Sequence, residues 1–449
     1  MMGHKTLALL TDLYQLTMAQ AYFNDGKMDR ATFSLFIRSY PLNRGFFISA
    51  GLHDVLEFLE NFALDGAALD YLSKQNLFTN DFLEFLEKQR FTGDVWAIPQ
   101  GRLFFKDEPI LEISAPIIEA QLVETFVINQ INLQSLIATK AARCVHAAGK
   151  RAVVDFALRR THGIDAGMKV ARSSYLAGFA GTSNVLAGSK YEIPTVGTMA
   201  HSFVTSFGDE LDAFRSYAAS FPETATLLID TYDTIAGARK AVEVAKEMAA
   251  RGQRLKGVRI DSGDLAELGI KVRKIFDDAG FSEVKIIGSG GLDEYDLSEL
   301  SAARIPFDSY GVGTKMGTSS DAPWSDMAYK LVEYGDRPVL KKSPGKISWP
   351  GTKQVFRQTN NQGQLEKDII GLRDERITGT EALLRKVMKD GKILVTLPAL
   401  AESRAGLAKE LRHLPDLTKA IRDPVRYPVE FSPALLRLRE ETERNLINT

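Results

Sequence analysis

The chain has 449 residues, 45 % hydrophobic and 25 % charged, enough apolar material for two or three cored domains. Its 56 Lys and Arg against 57 Asp and Glu give a formal net charge of -1, which excludes a nucleic-acid coat or a polybasic membrane anchor but not a local basic pocket. A single cysteine, Cys144, excludes an internal disulfide framework.

The opening run MMGHKTLALLTDLYQ is broken by Thr11 and Asp12 and makes a poor signal peptide. No window of about 18 apolar residues follows, so a cytoplasmic protein with no membrane partner is expected. Residues 95–116 read as a hairpin, VWAIPQGRLFF and PILEISAP around a KDE turn. Residues 120–148 carry neither Gly nor Pro and read as helix.

The middle region alternates short apolar runs with helical stretches. The runs are RAVVDFA (151–157), TATLLID (224–230), LKGVRID (255–261), VKIIGSG (284–290) and FDSYGVG (307–313). Amphipathic helices are expected between the second and third and between the third and fourth, ending on Gly252 and Gly280. Strands apolar throughout and alternating with helices imply a parallel sheet covered on both faces. The runs end on Asp155, Asp230, Asp261, the Gly288–Gly291 turn and the pair Gly311 and Gly313. In a βα-barrel that end of the strands is the active-site mouth. Beyond Lys330, short strands (YKLVEY, RPVLKKSP, QVFRQ) precede a terminal helix over 433–448.

Four constellations carry chemistry. GSGG (288–291) and YGVGT (310–314) end consecutive late strands, where backbone N–H groups can cradle a phosphate. In VRIDSGDL, Arg259 and Asp261 lie two apart and share a strand face. Arg suits a bidentate clamp on a carboxylate or phosphate, and Asp suits ribose hydroxyls. DFALRR (155–160) adds Phe156, able to stack on a flat ring, and two arginines. GTMAHSF (197–203) adds His201 as a base, ligand or phosphate acceptor. The chain lacks CxxC, HExxH, GxxxxGK[ST] and a first-strand GxGxxG, which counts against a protein-held zinc and against Walker or Rossmann nucleotide sites.

Taken in order, TDLYQLTM (11–18), FSLFIRSYP (33–41), DFALRR, GFAGTSNVLAG (178–188), GTMAHSF, LIDTYDT (228–234), VRIDSGDL, GSGGLDE (288–294), YGVGT and KISWPGTKQVFR (346–357) resemble the nicotinate phosphoribosyltransferase family. The resemblance implies an irregular TIM-like α/β barrel of the type II phosphoribosyltransferases plus an α/β sandwich domain. Residues 1–125 would form the sandwich, 126–330 the barrel, and 331–449 a segment completing the sandwich and packing on the barrel. It also implies a homodimer with shared active sites, and nicotinate, phosphoribosyl pyrophosphate and ATP as small-molecule partners, with Mg²⁺ as cofactor and no nucleic acid.

By the same resemblance, Tyr14 would stack on the pyridine ring in the partner's site and Phe156 on the ring's other face. Arg259, with Thr198 beside it, would grip the nicotinate carboxylate. Arg38 from the partner and Arg159 would neutralise phosphate or pyrophosphate. Asp230 and Asp261 would hold the ribose and its Mg²⁺, and Ser289, Gly290, Gly291, Gly311, Gly313 and Thr314 would cradle the 5-phosphate. His201 matches a histidine that ATP transiently phosphorylates. Nicotinamide-specific relatives carry an aspartate at the place of Ser183, where a carboxylate would repel that of nicotinate. A nicotinamide or quinolinate phosphoribosyltransferase and a non-catalytic sugar-phosphate sensor are the alternatives.

Overall fold

The computed structural model describes residues 4–343 and 348–447. Met1, Met2, Gly3, Pro344, Lys346, Ile347 and Asn448, which fall in segments named above, lie outside the described residues. The chain divides into two compact units, residues 1–136 with 324–449, and residues 137–323.

The first unit is built on a seven-stranded antiparallel sheet. Its order is Arg337–Pro338, Met327–Tyr334, Arg30–Ile37, Leu111–Pro116, Asp94–Ala97, Arg385–Lys389 and Lys392–Ile393. Three strands from the first part of the chain therefore lie at the centre of the sheet, flanked on each side by two strands from beyond residue 326. A four-stranded sheet, Thr380–Ala382, Lys353–Thr359, Leu365–Leu372 and Val429–Phe431, lies in the same unit. Leu35, Val95 and Ile113 from the large sheet share one core with Val55, Leu56 and Leu59 of the helix Leu52–Glu60.

The expected hairpin at 95–116 forms in part. Asp94–Ala97 and Leu111–Pro116 do pair, with Val95 opposite Ile113. The chain between them leaves the sheet at Pro99 and Gly101, where φ is +83°, and Leu103–Phe104 pairs instead with Phe47–Ile48. Pro99 lacks a ladder donor, which explains the break.

The second unit holds six parallel strands in one curled sheet, the wall of an irregular α/β barrel. Their order is Gly181–Thr182, Ala152–Asp155, Ser309–Val312, Lys285–Gly288, Gly257–Ile260 and Thr226–Leu228. Val153, Leu227, Leu228, Val258, Ile260, Ile286, Tyr310 and Val312 are buried, as both-face coverage requires. The five runs read from sequence each hold one strand. The sixth, Gly181–Thr182, is two residues of small side chains, too short for periodicity to reveal.

The intervening helices begin directly after the strand-end loops and are capped by aspartates. Asp233 accepts from Ala236 N–H, Asp264 from Ala266 and Glu267 N–H, and Asp293 from Tyr295 and Asp296 N–H. The helix Thr234–Ala249 lies so close to its strand that a Cβ on Gly237 would meet the Ile229 carbonyl oxygen at 2.1 Å. Gly237→Ala should therefore destabilise the protein by about 1–3 kcal/mol, even though Ala is the better helix former by about 1 kcal/mol. Urea unfolding followed by circular dichroism checks this. An unchanged or raised midpoint would contradict the packing described.

Candidate active site

The C-terminal ends of the parallel strands bring most of the expected site residues into one unit. Asp230 follows Thr226–Leu228, Asp261 follows Gly257–Ile260, and Ser289 follows Lys285–Gly288. These three are linked. The Asp230 Oδ2 accepts from Asp261 N–H at 3.0 Å and from Ser262 Oγ at 2.5 Å. The Asp261 Oδ1 accepts from Ser289 Oγ at 2.5 Å. The other Asp230 oxygen, Oδ1, is buried and has no partner among the described residues.

Arg259 points to the same mouth, as its alternation with Asp261 requires. Its Nη1 donates to Thr198 Oγ1 at 2.7 Å, its Nε lies 4.0 Å from Asp261 Oδ1, and its guanidinium stands 5.8 Å from the Phe156 ring centroid. The Nε is itself buried and has no hydrogen-bond partner among the described residues. Burial pushes the Arg259 guanidinium below its ordinary value, Asp261 and Asp230 oppose that, and Arg159 adds to it. Arg159 is exposed.

The glycine loops are shaped by close approach. Gly290 has φ +98°, and a Cβ there would lie 1.8 Å from the Asp261 carbonyl oxygen. Gly311 faces the Phe156 ring, which a Cβ would meet at 2.5 Å, and Phe156 N–H donates to Val312 O at 2.8 Å. Gly291 also has positive φ, and Gly313 precedes the short helix Thr314–Gly317. Arg160 Nη1 donates to Thr314 Oγ1 at 3.3 Å.

His201 opens the short helix His201–Thr205, half-buried, with Nδ1 3.2 Å from Thr231 Oγ1. The segment leading to it is tethered to the sheet edge by the bridge between Thr182 and Thr195 and by Val196 N–H on Thr182 O. Ser183 follows the edge strand, half-buried, its N–H on Asp155 O at 2.8 Å.

Asp155 does not join the mouth carboxylates. It is 1 % exposed, with one oxygen accepting from Ala157 N–H at 2.8 Å and the other from Thr182 Oγ1 at 2.7 Å. Burial raises its pKa, Thr182 and Ala157 offset part of that, and its role is to fix the turn that carries Phe156. Ser262 and Thr231 join the site without having been singled out as site residues, and Arg160, one of the two arginines of DFALRR, joins through Thr314. The signal for the first two was adjacency to Asp261 and Asp230.

Tyr14 and Arg38 belong to the first unit. Tyr14, on the helix Leu13–Asn24, is 50 % exposed, and its hydroxyl accepts from Gln15 Nε2 at 2.9 Å. Arg38 is ion-paired with Asp326, at 2.5 Å from Nη2 and 3.1 Å from Nε to the same oxygen.

Comparison with known proteins gives a consistent picture. The nicotinate phosphoribosyltransferase N-terminal domain matches residues 9–132, the family's main domain residues 151–335, and its C-terminal domain residues 377–439. A nicotinate phosphoribosyltransferase of Mycobacterium tuberculosis is 48 % identical over 431 residues, covering 96 % of this chain and 92 % of the relative. One from Bacillus subtilis is 40 % identical over 387 residues, covering 84 % and 79 %. The crystal structure of human nicotinic acid phosphoribosyltransferase superposes with a TM-score of 0.87 at 31 % identity, covering 96 % of this chain and 99 % of that one. With its strand-end arginine, paired aspartates and glycine loops, this chain belongs to the nicotinate phosphoribosyltransferase family.

Proposed function

We propose that the protein joins nicotinate to the ribose 5-phosphate of phosphoribosyl pyrophosphate, releasing pyrophosphate, and so serves NAD biosynthesis in the cytoplasm. The observation that carries this reading is Arg259: a half-buried guanidinium with an unpartnered Nε, beside Thr198 and the Phe156 ring. An aromatic acid supplies what that corner lacks, a carboxylate for the cation and a flat face for Phe156.

The reaction needs little acid–base help. The pyridine nitrogen is unprotonated near neutral pH, so its lone pair forms the bond to the anomeric carbon directly. The bond from that carbon to the pyrophosphate oxygen breaks, and its electron pair leaves with pyrophosphate. The demanding features are positive charge on the sugar and negative charge on the leaving group, so positioning and electrostatics carry the step. Asp230 and Asp261 would favour the developing sugar cation, and Asp230 Oδ1, without a partner among the described residues, suits a ribose hydroxyl. Arg159, and Arg38 of a second copy once released from Asp326, suit the pyrophosphate. Ser289, Gly290, Gly291, Gly311, Gly313 and Thr314 suit the 5-phosphate.

The unpartnered Asp230 oxygen also fits Mg²⁺. No three His, Cys, Asp or Glu gather as a metal site among the described residues, so substrate oxygens would supply most of the ligands, with Asp230 and Asp261 beside them. Once bound, Mg²⁺ offsets charge on the departing pyrophosphate. The half-exposed Tyr14 fits a homodimer in which its ring covers the nicotinate of the other subunit. ATP would pass its γ-phosphoryl group to the His201 imidazole with loss of ADP, and later hydrolysis of that phosphohistidine would drive the transfer forward.

Pyrophosphate release from phosphoribosyl pyrophosphate and Mg²⁺ tests this, with nicotinate, nicotinamide or quinolinate, each with and without ATP. Release with nicotinate alone, stimulated by ATP, is expected. His201→Ala should keep basal transfer and lose the stimulation. Release with nicotinamide alone would overturn the carboxylate assignment, and full ATP stimulation of His201→Ala would remove that histidine from the coupling. Ser183→Asp should lower kcat/KM for nicotinate by roughly tenfold or more, the size of a like-charge contact in a partly screened site. An unchanged nicotinate preference in that variant would take Ser183 out of substrate selection.

A further inference from the structure

The two glycine loops carry few side chains of their own, so their shape depends on what anchors the chain beyond them. Glu294 is the first residue of the helix that follows Ser289–Gly291. One oxygen of its carboxylate is ion-paired with Lys140 Nζ, and the other accepts from Arg143 Nε at 3.0 Å. All three side chains are at most 1 % exposed. Lys140 also donates to Asp321 Oδ1 at 2.8 Å and lies 3.9 Å from the Asp293 carboxylate and 5.5 Å from the Tyr295 ring centroid. Asp293 caps the same helix.

The second loop is tied to this anchor. Lys315, the residue after Thr314, donates to Asp296 Oδ2 at 3.0 Å and lies 3.6 Å from Asp293 Oδ2. Buried charges tolerate few arrangements, because any that separates them leaves an uncompensated charge in a poorly solvated place. A satisfied network of this kind is stiff.

We propose that Lys140 is a positioning residue for the phosphate cradle: by clamping Glu294 and Asp321 it fixes the loop Ser289–Gly291, and Lys315 fastens Thr314 to the same anchor. The inference rests on reading these loops as the 5-phosphate site.

Lys140→Met removes the charge and keeps most of the length. It should raise both the KM for phosphoribosyl pyrophosphate and the inhibition constant of inorganic phosphate roughly tenfold, as small misplacements of binding groups do. The KM for nicotinate should stay within about twofold, and Lys140→Arg should recover most of the loss. Lys315→Met, at a side chain 41 % exposed, should raise the same two constants about threefold with an unchanged melting temperature. That variant keeps the test standing if Lys140→Met does not fold. A lowered melting temperature with both constants unchanged would make the network structural only and overturn the proposal. Thr314→Val separates the two layers. If it raises the constants and the lysine variants do not, the wiring alone falls. If it too leaves them unchanged while nicotinate transfer continues, the cradle falls and the wiring with it.

Discussion

The site depends on keeping a guanidinium charged in a half-buried place without satisfying it. An isolated cation there would be costly, and a full ion pair would leave nothing for a substrate. Arg259 sits between these limits. Its contact with Asp261 is long, at 4.0 Å, a short bond goes to the neutral hydroxyl of Thr198, and its Nε has no hydrogen-bond partner among the described residues. One oxygen of each neighbouring carboxylate is held by other groups, Asp230 Oδ2 by Ser262 and the Asp261 amide and Asp261 Oδ1 by Ser289. The barrel makes this possible because the ends of three neighbouring strands meet here: Asp230 follows the first, Arg259, Asp261 and Ser262 belong to the second and its loop, and Ser289 follows the third.

From that arrangement the rest of the mouth follows. Gly311 lets Phe156 lie flat across the neighbouring strand, and the Asp155 carboxylate pins the turn from which Phe156 projects. Gly290 lets the loop Ser289–Gly291 pass close over the Asp261 backbone. A side chain at Gly290 would displace the Asp261 backbone, and one at Gly311 the Phe156 ring. The charged anchor behind the loops extends the same logic to the helix starts.

Much of this was legible in the sequence because parallel strands buried on both faces leave a simple trace: apolar runs that stop at Asp or Gly. That trace placed Asp230, Asp261, Ser289 and Gly311 at one edge, and the two-residue spacing put Arg259 beside Asp261. It misassigned Asp155, since a strand-end aspartate looks alike whether it faces a substrate or holds its own turn. It missed the strand Gly181–Thr182, which lacks apolar length, and the partners Ser262 and Thr231, whose roles depend on side-chain geometry. The Lys140–Glu294 pair joins residues far apart in the chain and has no local pattern at all. The role of each residue toward a particular substrate group came from the family resemblance, because spacing alone cannot tell a carboxylate clamp from an internal ion pair.

The most direct measurement is the ratio of kcat/KM for nicotinate to that for nicotinamide in Arg259→Gln. Gln keeps a polar amide on a shorter side chain and removes the charge. The account expects this ratio to fall by roughly a hundredfold, since a hydrogen bond to a charged group in such a site is worth about 1.5–3 kcal/mol, with the melting temperature little changed. A variant that still prefers nicotinate as strongly as the parent would show that Arg259 does not read the carboxylate.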